Sequence, residues 1–217
     1  MGYVNWNEEE CKDFAETAKK LKQFDYEPWA REILELIKEE KAPQTVLDVG
    51  AGSGEMAFTL QSSLKSTDFI LTDNAPGMEK IVTKRLAETD KMRFVHCSAE
   101  QLKLEDNTAD IAICKHILTH VDDQRKALSE IFRVLKPNGT AIVIDFNSSA
   151  PLLRAMILFT IIRLKMGKER AAKFWAGYKK GIPSAKMTSY LKEAGFLQIN
   201  MIQKGINYFY SAKKQGN

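Results

Sequence analysis

Three glycines at alternate positions, preceded by an aspartate, have the clearest chemical potential in this sequence. They lie in TVLDVGAGSGEMAF, residues 45–58, where Gly50, Gly52 and Gly54 follow an apolar run that contains Asp48. Glycines let a backbone approach a ligand closely, and the start of a helix presents free N–H groups to that ligand. The spacing therefore favours a ligand-binding turn over a plain chain reversal.

The charge of Asp48 indicates which ligand this turn accepts. A dinucleotide site has the spacing GxGxxG and seats a pyrophosphate at the helix N-terminus, whereas this turn reads GxGxG. A carboxylate about 5 Å from two phosphates would cost several kcal/mol at an intermediate dielectric. S-adenosylmethionine carries a sulfonium, an ammonium and no phosphate. The sequence therefore favours this cationic nucleoside over a nicotinamide dinucleotide.

Strands and helices alternate along the chain from residue 29 onward. Strands are predicted at TVLDVG, DFILTD, MRFVHC, ADIAICKH and TAIVIDF, and the turn KPNGT is expected to end the helix before the fifth strand. Apolar strands separated by helices indicate a parallel sheet covered on both faces. Ligands of such sheets bind at the carboxyl ends of the strands. Those ends carry Asp48, Asp73, Cys97, Lys115 and Phe146.

The alternation stops after residue 147. Residues 151–180 are predicted to form two helices, residues 183–196 a third that Gly195 caps, and LQINMI with INYFYSAKK an antiparallel strand pair at the sheet edge. We predict a single α/β domain, a Rossmann-like seven-stranded, mostly parallel sheet with helices on both faces. Its expected parts are an N-terminal helical arm (1–40), a cofactor-binding core (41–147), a helical lid insertion (148–183) and a last helix with edge strands (184–217).

Residues at the second and third strand ends are expected to bind the nucleoside. Asp73 follows Gly50 by 23 residues and stands where the ribose hydroxyls need an acceptor. Ser98 and the backbone amide of Ala99 can meet the adenine edge. Met78 either packs on the adenine face or belongs to the helix core.

With these residues in view, the run from about residue 45 to 146 resembles the class I S-adenosylmethionine-dependent methyltransferases. The matching segments are VLDVGAGSGEMA, LTDNAPGM, CSAEQLKLEDNTADIAICKHILTHV and LSEIFRVLKPNGTAIVID. RVLKPNG and the ending LKEAGF…GINYFYSAKK are most similar to the small-molecule branch, which includes methyltransferases of ubiquinone and menaquinone synthesis. The resemblance implies S-adenosylmethionine as cofactor and a small-molecule acceptor.

The resemblance also implies which residues hold the cofactor, with two departures. Ser98 stands where many relatives have an aspartate for the adenine amino group, so that contact is expected to weaken or to move to Glu100. Lys115 occupies a position that is usually small or polar, which suggests an unusual acceptor or a hold on the cofactor carboxylate. The expected cofactor set is Asp48, Gly50, Ala51, Gly52, Asp73, Asn74, Met78, Ser98, Ala99, Glu100 and Lys115.

Methyl transfer is an in-line displacement, so alignment and exclusion of water are the protein's main tasks. A base is needed only where the acceptor must lose a proton. His116 and His120 follow the fourth strand, and imidazole titrates near neutral pH. Each is either a catalytic base or a hydrogen-bonded structural histidine. His96, inside the third strand, is expected to be structural.

Aromatic residues of the arm and the insertion are expected to border the acceptor, which favours a small apolar or aromatic compound. Ordinary core packing explains many of them equally well. The predicted acceptor residues are Tyr3, Trp6, Tyr26, Phe146, Trp175 and Tyr178.

Composition narrows the classes of partner. The 217-residue chain carries 32 basic and 28 acidic residues, a net charge too mild to argue for nucleic acid. Its three cysteines form no CxxC pair, which favours a cytoplasmic location and no metal site. The apolar window 151–164 is too short to span a bilayer.

The basic stretch 163–186 suits a solvated helix face, an anionic lipid contact or an acidic substrate. An RNA or protein methyltransferase and a non-catalytic cofactor-binding subunit are the alternative functions, and the oligomeric state stays open.

Overall fold

The seven strands form one sheet that is parallel except at one edge. The computed structural model describes residues 6–38, 42–86 and 89–216, so the predicted acceptor residue Tyr3 lies outside the described residues. The strand order is β3-β2-β1-β4-β5-β7-β6, and β7 runs antiparallel to both of its neighbours. The strands are β1 Thr45–Val49, β2 Asp68–Asp73, β3 Met92–His96, β4 Ala109–Lys115, β5 Leu135–Phe146, β6 Leu197–Lys204 and β7 Asn207–Lys213.

Helices cover both faces of this sheet, which confirms the predicted fold class. Val46 packs with the helices of one face, and Leu47 and Val49 pack with those of the other. Alternate residues of one strand therefore serve two cores, as expected for a parallel sheet. The helices after the arm are α3 Glu55–Gln61, α4 Pro76–Leu86, α5 Gln124–Val134, α6 Leu152–Met166, α7 Lys168–Lys180 and α8 Ser184–Glu193.

Capping residues mark two helix ends. Asp123 caps the start of α5, because its side chain accepts a hydrogen bond from the Lys126 backbone N–H at 3.0 Å. Gly195 follows α8 with φ +101°, a conformation that L side chains rarely adopt.

The prediction that KPNGT separates α5 from β5 is wrong in its boundary. β5 begins at Leu135, which pairs with Ala109, and the next pair joins Ile111 to Thr140. Residues 136–139 therefore bulge opposite Asp110 alone, and Lys136 contacts that aspartate at 2.9 Å. The residues keep their turn character, but sheet pairing resumes after them instead of starting there.

The N-terminal arm is one continuous helical run that contains a π-helical segment. It consists of α1 Glu8–Leu21, the π segment Lys22–Tyr26 and α2 Glu27–Lys38. A capping box at Asn7 and Glu10 starts α1. α1 contacts α4, through Cys11 at Gly77, and α7, through a hydrogen bond from Arg170 to Thr17. The first helix therefore bridges elements that follow β2 and β5.

Candidate active site

A cavity of about 200 Å³ lies at the carboxyl ends of β1, β2 and β4 and beneath the arm. Most of the predicted site residues meet there, although they come from separate parts of the chain. The predicted residues that line it are Trp6, Tyr26, Asp48, Gly50, Ala51, Gly52, Asp73, Asn74, Met78, Ser98, Ala99, Lys115, His116 and His120.

The glycine turn forms part of the cavity wall. Its positions accept only glycine, because of their backbone conformation and the close approach of a neighbouring side chain. Gly50 and Gly52 have φ of +66° and +53°. A Cβ atom on Gly52 would lie 2.9 Å from the ring of Phe14 in α1. The backbone N–H of Ala51 donates to the Thr72 carbonyl at 2.8 Å, which ties the turn to β2.

Asp73 fixes the glycine turn at the end of β2. Its Oδ2 accepts the Gly52 N–H and its Oδ1 accepts the Ala75 N–H, both at 2.9 Å. Burial raises the pKa of Asp73, although these backbone donors oppose the shift. Each carboxylate oxygen retains a further lone pair. The side chain can therefore hold the turn and still accept ribose hydroxyls.

Asp48 presents an unsatisfied charge to the cavity. The side chain is buried, and its Oδ2 has no hydrogen-bond partner among the described residues. Burial raises the pKa of Asp48 to about 7, against the opposing effects of the Ala57 backbone N–H and the Lys115 ammonium. A buried carboxylate oxygen without a donor is costly. A cationic ligand group would supply that donor.

Lys115 reaches the cavity from the end of β4 and pairs with the arm. Its Nζ lies 2.9 Å from Asp25 Oδ2 and 4.4 Å from the centre of the Tyr26 ring. Burial alone would raise the pKa of Asp25, but the charges of Lys115 and His116 outweigh it and lower that pKa. Both arm residues belong to the π segment, a feature common at functional sites. One ammonium proton serves Asp25, so two remain for a ligand carboxylate.

His116 and Asp145 form a histidine–carboxylate pair at the cavity wall. His116 Nδ1 lies 3.3 Å from Asp145 Oδ1, which also accepts the Phe146 N–H at 2.8 Å. Asp145 is fully buried, and the rings of His116 and Phe146 are 4.6 Å apart. His116 has φ +55°, a strained backbone of the kind found at functional sites. With Nδ1 donating to Asp145, Nε2 is the nitrogen left to accept a proton.

Comparisons with known proteins agree with this geometry. A family model described as a methyltransferase domain matches residues 47–143. The chain is 28% identical to a demethylmenaquinone methyltransferase from Clavibacter sepedonicus over 73% of this chain and 67% of the relative. The crystal structure of an S-adenosylmethionine-dependent methyltransferase from Aquifex aeolicus superposes with a TM-score of 0.70 at 17% identity, covering 96% of this chain and 98% of that one.

The chain carries a methyltransferase domain and is similar to the class I S-adenosylmethionine-dependent methyltransferases in sequence and fold. A rat thiol S-methyltransferase is also similar, at 33% identity over 57% of this chain and 51% of the relative. The chain therefore spans about half the length of that relative. Within the described ranges, no group of three or more His, Cys, Asp or Glu side chains could hold a metal ion.

The cavity of the methyltransferase fits its cofactor. Asp48 Oδ2 is a free acceptor for the ammonium of the methionine moiety, and the absent Cβ atoms of the glycine turn leave room for the backbone to approach it. Asp73 would hold the ribose, and Ser98 with Ala99 would border the adenine. When bound, S-adenosylmethionine supplies the activated methyl group and its leaving group.

Four predicted site residues of the methyltransferase lie outside this cavity. Glu100 is held behind the wall, because its Oε1 accepts the Asp123 backbone N–H at 2.7 Å. The Tyr178 hydroxyl donates to the Ala150 carbonyl at 3.0 Å, and Phe146 and Trp175 pack in the same cluster. These aromatic residues attach α6 and α7 to the sheet. They lie outside the cavity lining, and their contact with the acceptor stays a prediction.

The three histidines differ in their position relative to the cavity. His116 and His120 line the cavity, and the second is exposed at its mouth beside Val121. His96 lies on β3 outside the cavity, with Nδ1 3.4 Å from a carboxylate oxygen of Glu79. The pairing of His116 with a buried carboxylate distinguishes it from the other two.

Three residues in or beside the cavity wall were not predicted from the sequence. Asp145 sits in the apolar run AIVIDF, and a charge in a buried strand requires a partner, so this signal was available. Asp25 gave no signal, since its contact with Lys115 depends on the π segment. Phe14 covers the glycine turn from 38 residues away along the chain, which no local pattern reveals.

Proposed function

We propose that the methyltransferase methylates a small, apolar, ring-bearing acceptor with a phenol or quinol hydroxyl. The observation that carries this proposal is the His116–Asp145 pair at the cavity wall. A phenol hydroxyl has a pKa near 10 and stays protonated at neutral pH, so it benefits from a base. A thiol, with a pKa near 8.5, needs that help less.

The residues of the pair have separate tasks. His116 Nε2 accepts the proton that the acceptor hydroxyl loses, while Asp145 keeps Nδ1 protonated and stabilises the imidazolium. Phe146 supports the imidazole ring from the side of the insertion. This gives Phe146 a positioning role in place of the acceptor contact expected from sequence.

The N-terminal arm positions the acceptor. Trp6 and Tyr26 line the cavity, and Phe14 packs against Trp6 with ring centres 5.4 Å apart. Such aromatic walls suit a flat apolar ring and exclude water from the reacting groups. Helix α7 lies beside the active site, since its residue Phe174 contacts Phe146 at the end of β5.

The similar proteins support a small-molecule acceptor. One is named for demethylmenaquinone and another for thiols, and both names describe small molecules. We also propose a cytoplasmic location, because all three cysteines are buried and unpaired. The described ranges contain no helix long and apolar enough to cross a membrane.

A labelling experiment tests the proposal. The protein is incubated with methyl-labelled S-adenosylmethionine and, separately, with an apolar metabolite extract, total RNA and a protein extract. We expect label in an apolar metabolite and a large loss of that label in His116→Gln. Label in RNA or protein would assign one of those substrates instead. Cofactor binding with no labelled product in any fraction would indicate a non-catalytic subunit.

A further inference from the structure

The outward face of α6 is an exposed apolar stripe. Leu153 is 68% exposed, Ile157 53% and Leu164 80%. These positions follow helical spacing, so they share one side of the helix. Met156 and Ile161 flank them and are exposed as well. Contiguous apolar surface of this kind marks an interaction site.

The opposite side of α6 packs against the rest of the protein. Ala155 is fully buried and Leu158 packs with it against the α7 residues Phe174, Trp175 and Tyr178. Core packing therefore accounts for one side of the helix and leaves the stripe unexplained. An ordinary surface helix would carry polar residues there.

Basic residues surround the stripe. Helices α6 and α7 together contain eight Lys or Arg residues and one acid, Glu169. This surplus of seven exceeds the net charge of +4 of the whole chain, so the remaining residues are net negative. By helical geometry, Arg154 and Lys165 lie on one flank of the stripe and Arg163 on the other.

The basic charge around the stripe indicates which kind of partner binds there. Two copies meeting at this stripe would bring two strongly basic helix pairs together, which is unfavourable. A bilayer with anionic lipids offers both an apolar interior for the stripe and negative headgroups for its flanks. α6 has 15 residues, and no described helix is long and apolar enough to cross a membrane, so α6 would lie along the surface.

We propose that α6 docks the methyltransferase on an anionic phospholipid surface, with the stripe in the headgroup–acyl boundary and the flanking basic residues at the phosphates. Phe146 joins α7 to His116, so docking brings the active site close to the membrane. An apolar acceptor dissolved in that membrane would then have a short path to it. The docking itself does not depend on the identity of the acceptor.

Vesicle co-sedimentation of the full chain tests the proposal. We expect binding to phosphatidylcholine vesicles that contain about one quarter phosphatidylglycerol, little binding to pure phosphatidylcholine, and weaker binding as salt rises. Replacing the stripe by Leu153→Gln, Ile157→Gln and Leu164→Gln should weaken binding at least tenfold. Replacing Arg154, Arg163 and Lys165 by Gln should weaken it about fivefold per charge.

A matched control uses exposed apolar residues elsewhere. Leu197, Met201 and Ile202 on β6 are 49%, 42% and 49% exposed, and their replacement by Gln should leave vesicle binding unchanged. Cofactor affinity, measured by calorimetry, should be unchanged in every variant, which shows that each is folded. Vesicle binding and cofactor affinity are measured without methyl transfer. Their outcome is therefore independent of the labelling experiment that tests the acceptor.

Three results would overturn the proposal. The first is an absence of binding to anionic vesicles. The second is equal loss of binding in the α6 and β6 variants. The third is a dimer in solution that the α6 substitutions dissociate while vesicles have no effect, since that result would assign the stripe to a second copy of the chain.

Discussion

Lys115 and Asp25 form an ion pair that joins the arm to the end of β4. The Nζ–Oδ2 distance is 2.9 Å, and the side chains are 7% and 37% exposed. An ion pair this close to the cofactor cavity connects the position of the arm to the charge inside the cleft. Removal of one partner leaves the other charge largely buried, which is costly.

Asp25→Asn should therefore loosen the arm. We expect a loss of about 1–2 kcal/mol in the free energy of unfolding, less than for a fully buried pair because Asp25 is partly exposed. Hydrogen exchange should rise in α1, and cofactor should dissociate faster. Glu8→Gln is the control, since Glu8 also joins α1 to the core, through Lys80, in an exposed pair. Equal effects of the two substitutions would show that the buried pair has no special role.

Cofactor affinity should depend on pH through Asp48. The pKa of this carboxyl is about 7 in the free protein, and an ammonium binds the ionised form. Affinity should therefore fall as pH drops below 7, by up to about tenfold per unit. Asp48→Asn should weaken binding at pH 7 and remove this slope. Calorimetry from pH 5.5 to 7 measures both effects, with exposed Asp122→Asn as control.

The raised pKa of Asp48 also makes the stability of the cofactor-free protein depend on pH. The folded-state pKa of Asp48 is raised above its ordinary value of 3.8, so the folded protein holds a proton that the unfolded chain has lost between about pH 4 and 7. This contribution is fully present below pH 4 and is lost as pH rises to about 7. Thermal denaturation of wild type and Asp48→Asn should show the difference; parallel pH curves would contradict it.

Asp73 should be needed for the turn as well as for the ribose. Asp73→Asn keeps one acceptor for the two backbone N–H groups and should weaken cofactor binding about tenfold or more. Asp73→Ala removes both acceptors and should weaken binding further. Asp68→Asn, an exposed change at the start of the same strand, should have no effect. Wild-type affinity in both Asp73 variants would refute the assignment.

The His116–Asp145 pair should affect turnover more than binding. His116→Gln should lower kcat/KM by about 10²- to 10⁴-fold and leave cofactor affinity within about twofold of wild type. Asp145→Asn should lower kcat without a matching change in cofactor affinity, because the imidazole loses its orienting partner. His120→Gln serves as the matched control. Unchanged turnover in His116→Gln would show that alignment alone accounts for catalysis.

The sequence was sufficient to predict the fold and one side of the site. The strand ends that carry Asp48, Asp73 and Lys115 could be located because buried strands leave an apolar pattern, and parallel strands place their ends together. The side of the cavity formed by the arm was only partly predictable. Trp6 and Tyr26 were expected, but their neighbour Phe14 depends on the placement of α1 over the glycine turn.

Two of the predicted acceptor residues lie outside the cavity for a shared physical reason. Tyr178 and Trp175 are amphipathic aromatic residues, and the same side chains suit a ligand wall or a helix–sheet contact. Their neighbourhood in sequence does not decide between the two. In the structure the Tyr178 hydroxyl donates to the Ala150 carbonyl, and that bond depends on the placement of α7 against the end of β5.

The π segment at Lys22–Tyr26 has a consequence for how this arm is built. A π turn holds one residue more than an α turn, so deletion of a single residue there would restore a regular helix and rotate α1 by about a quarter of a turn. Phe14 would then face away from Gly52. The alignment of α1 with the cleft is thus set by the length of the chain to within one residue. A deletion there would open the cleft without changing any side chain that the strands contribute to the cavity.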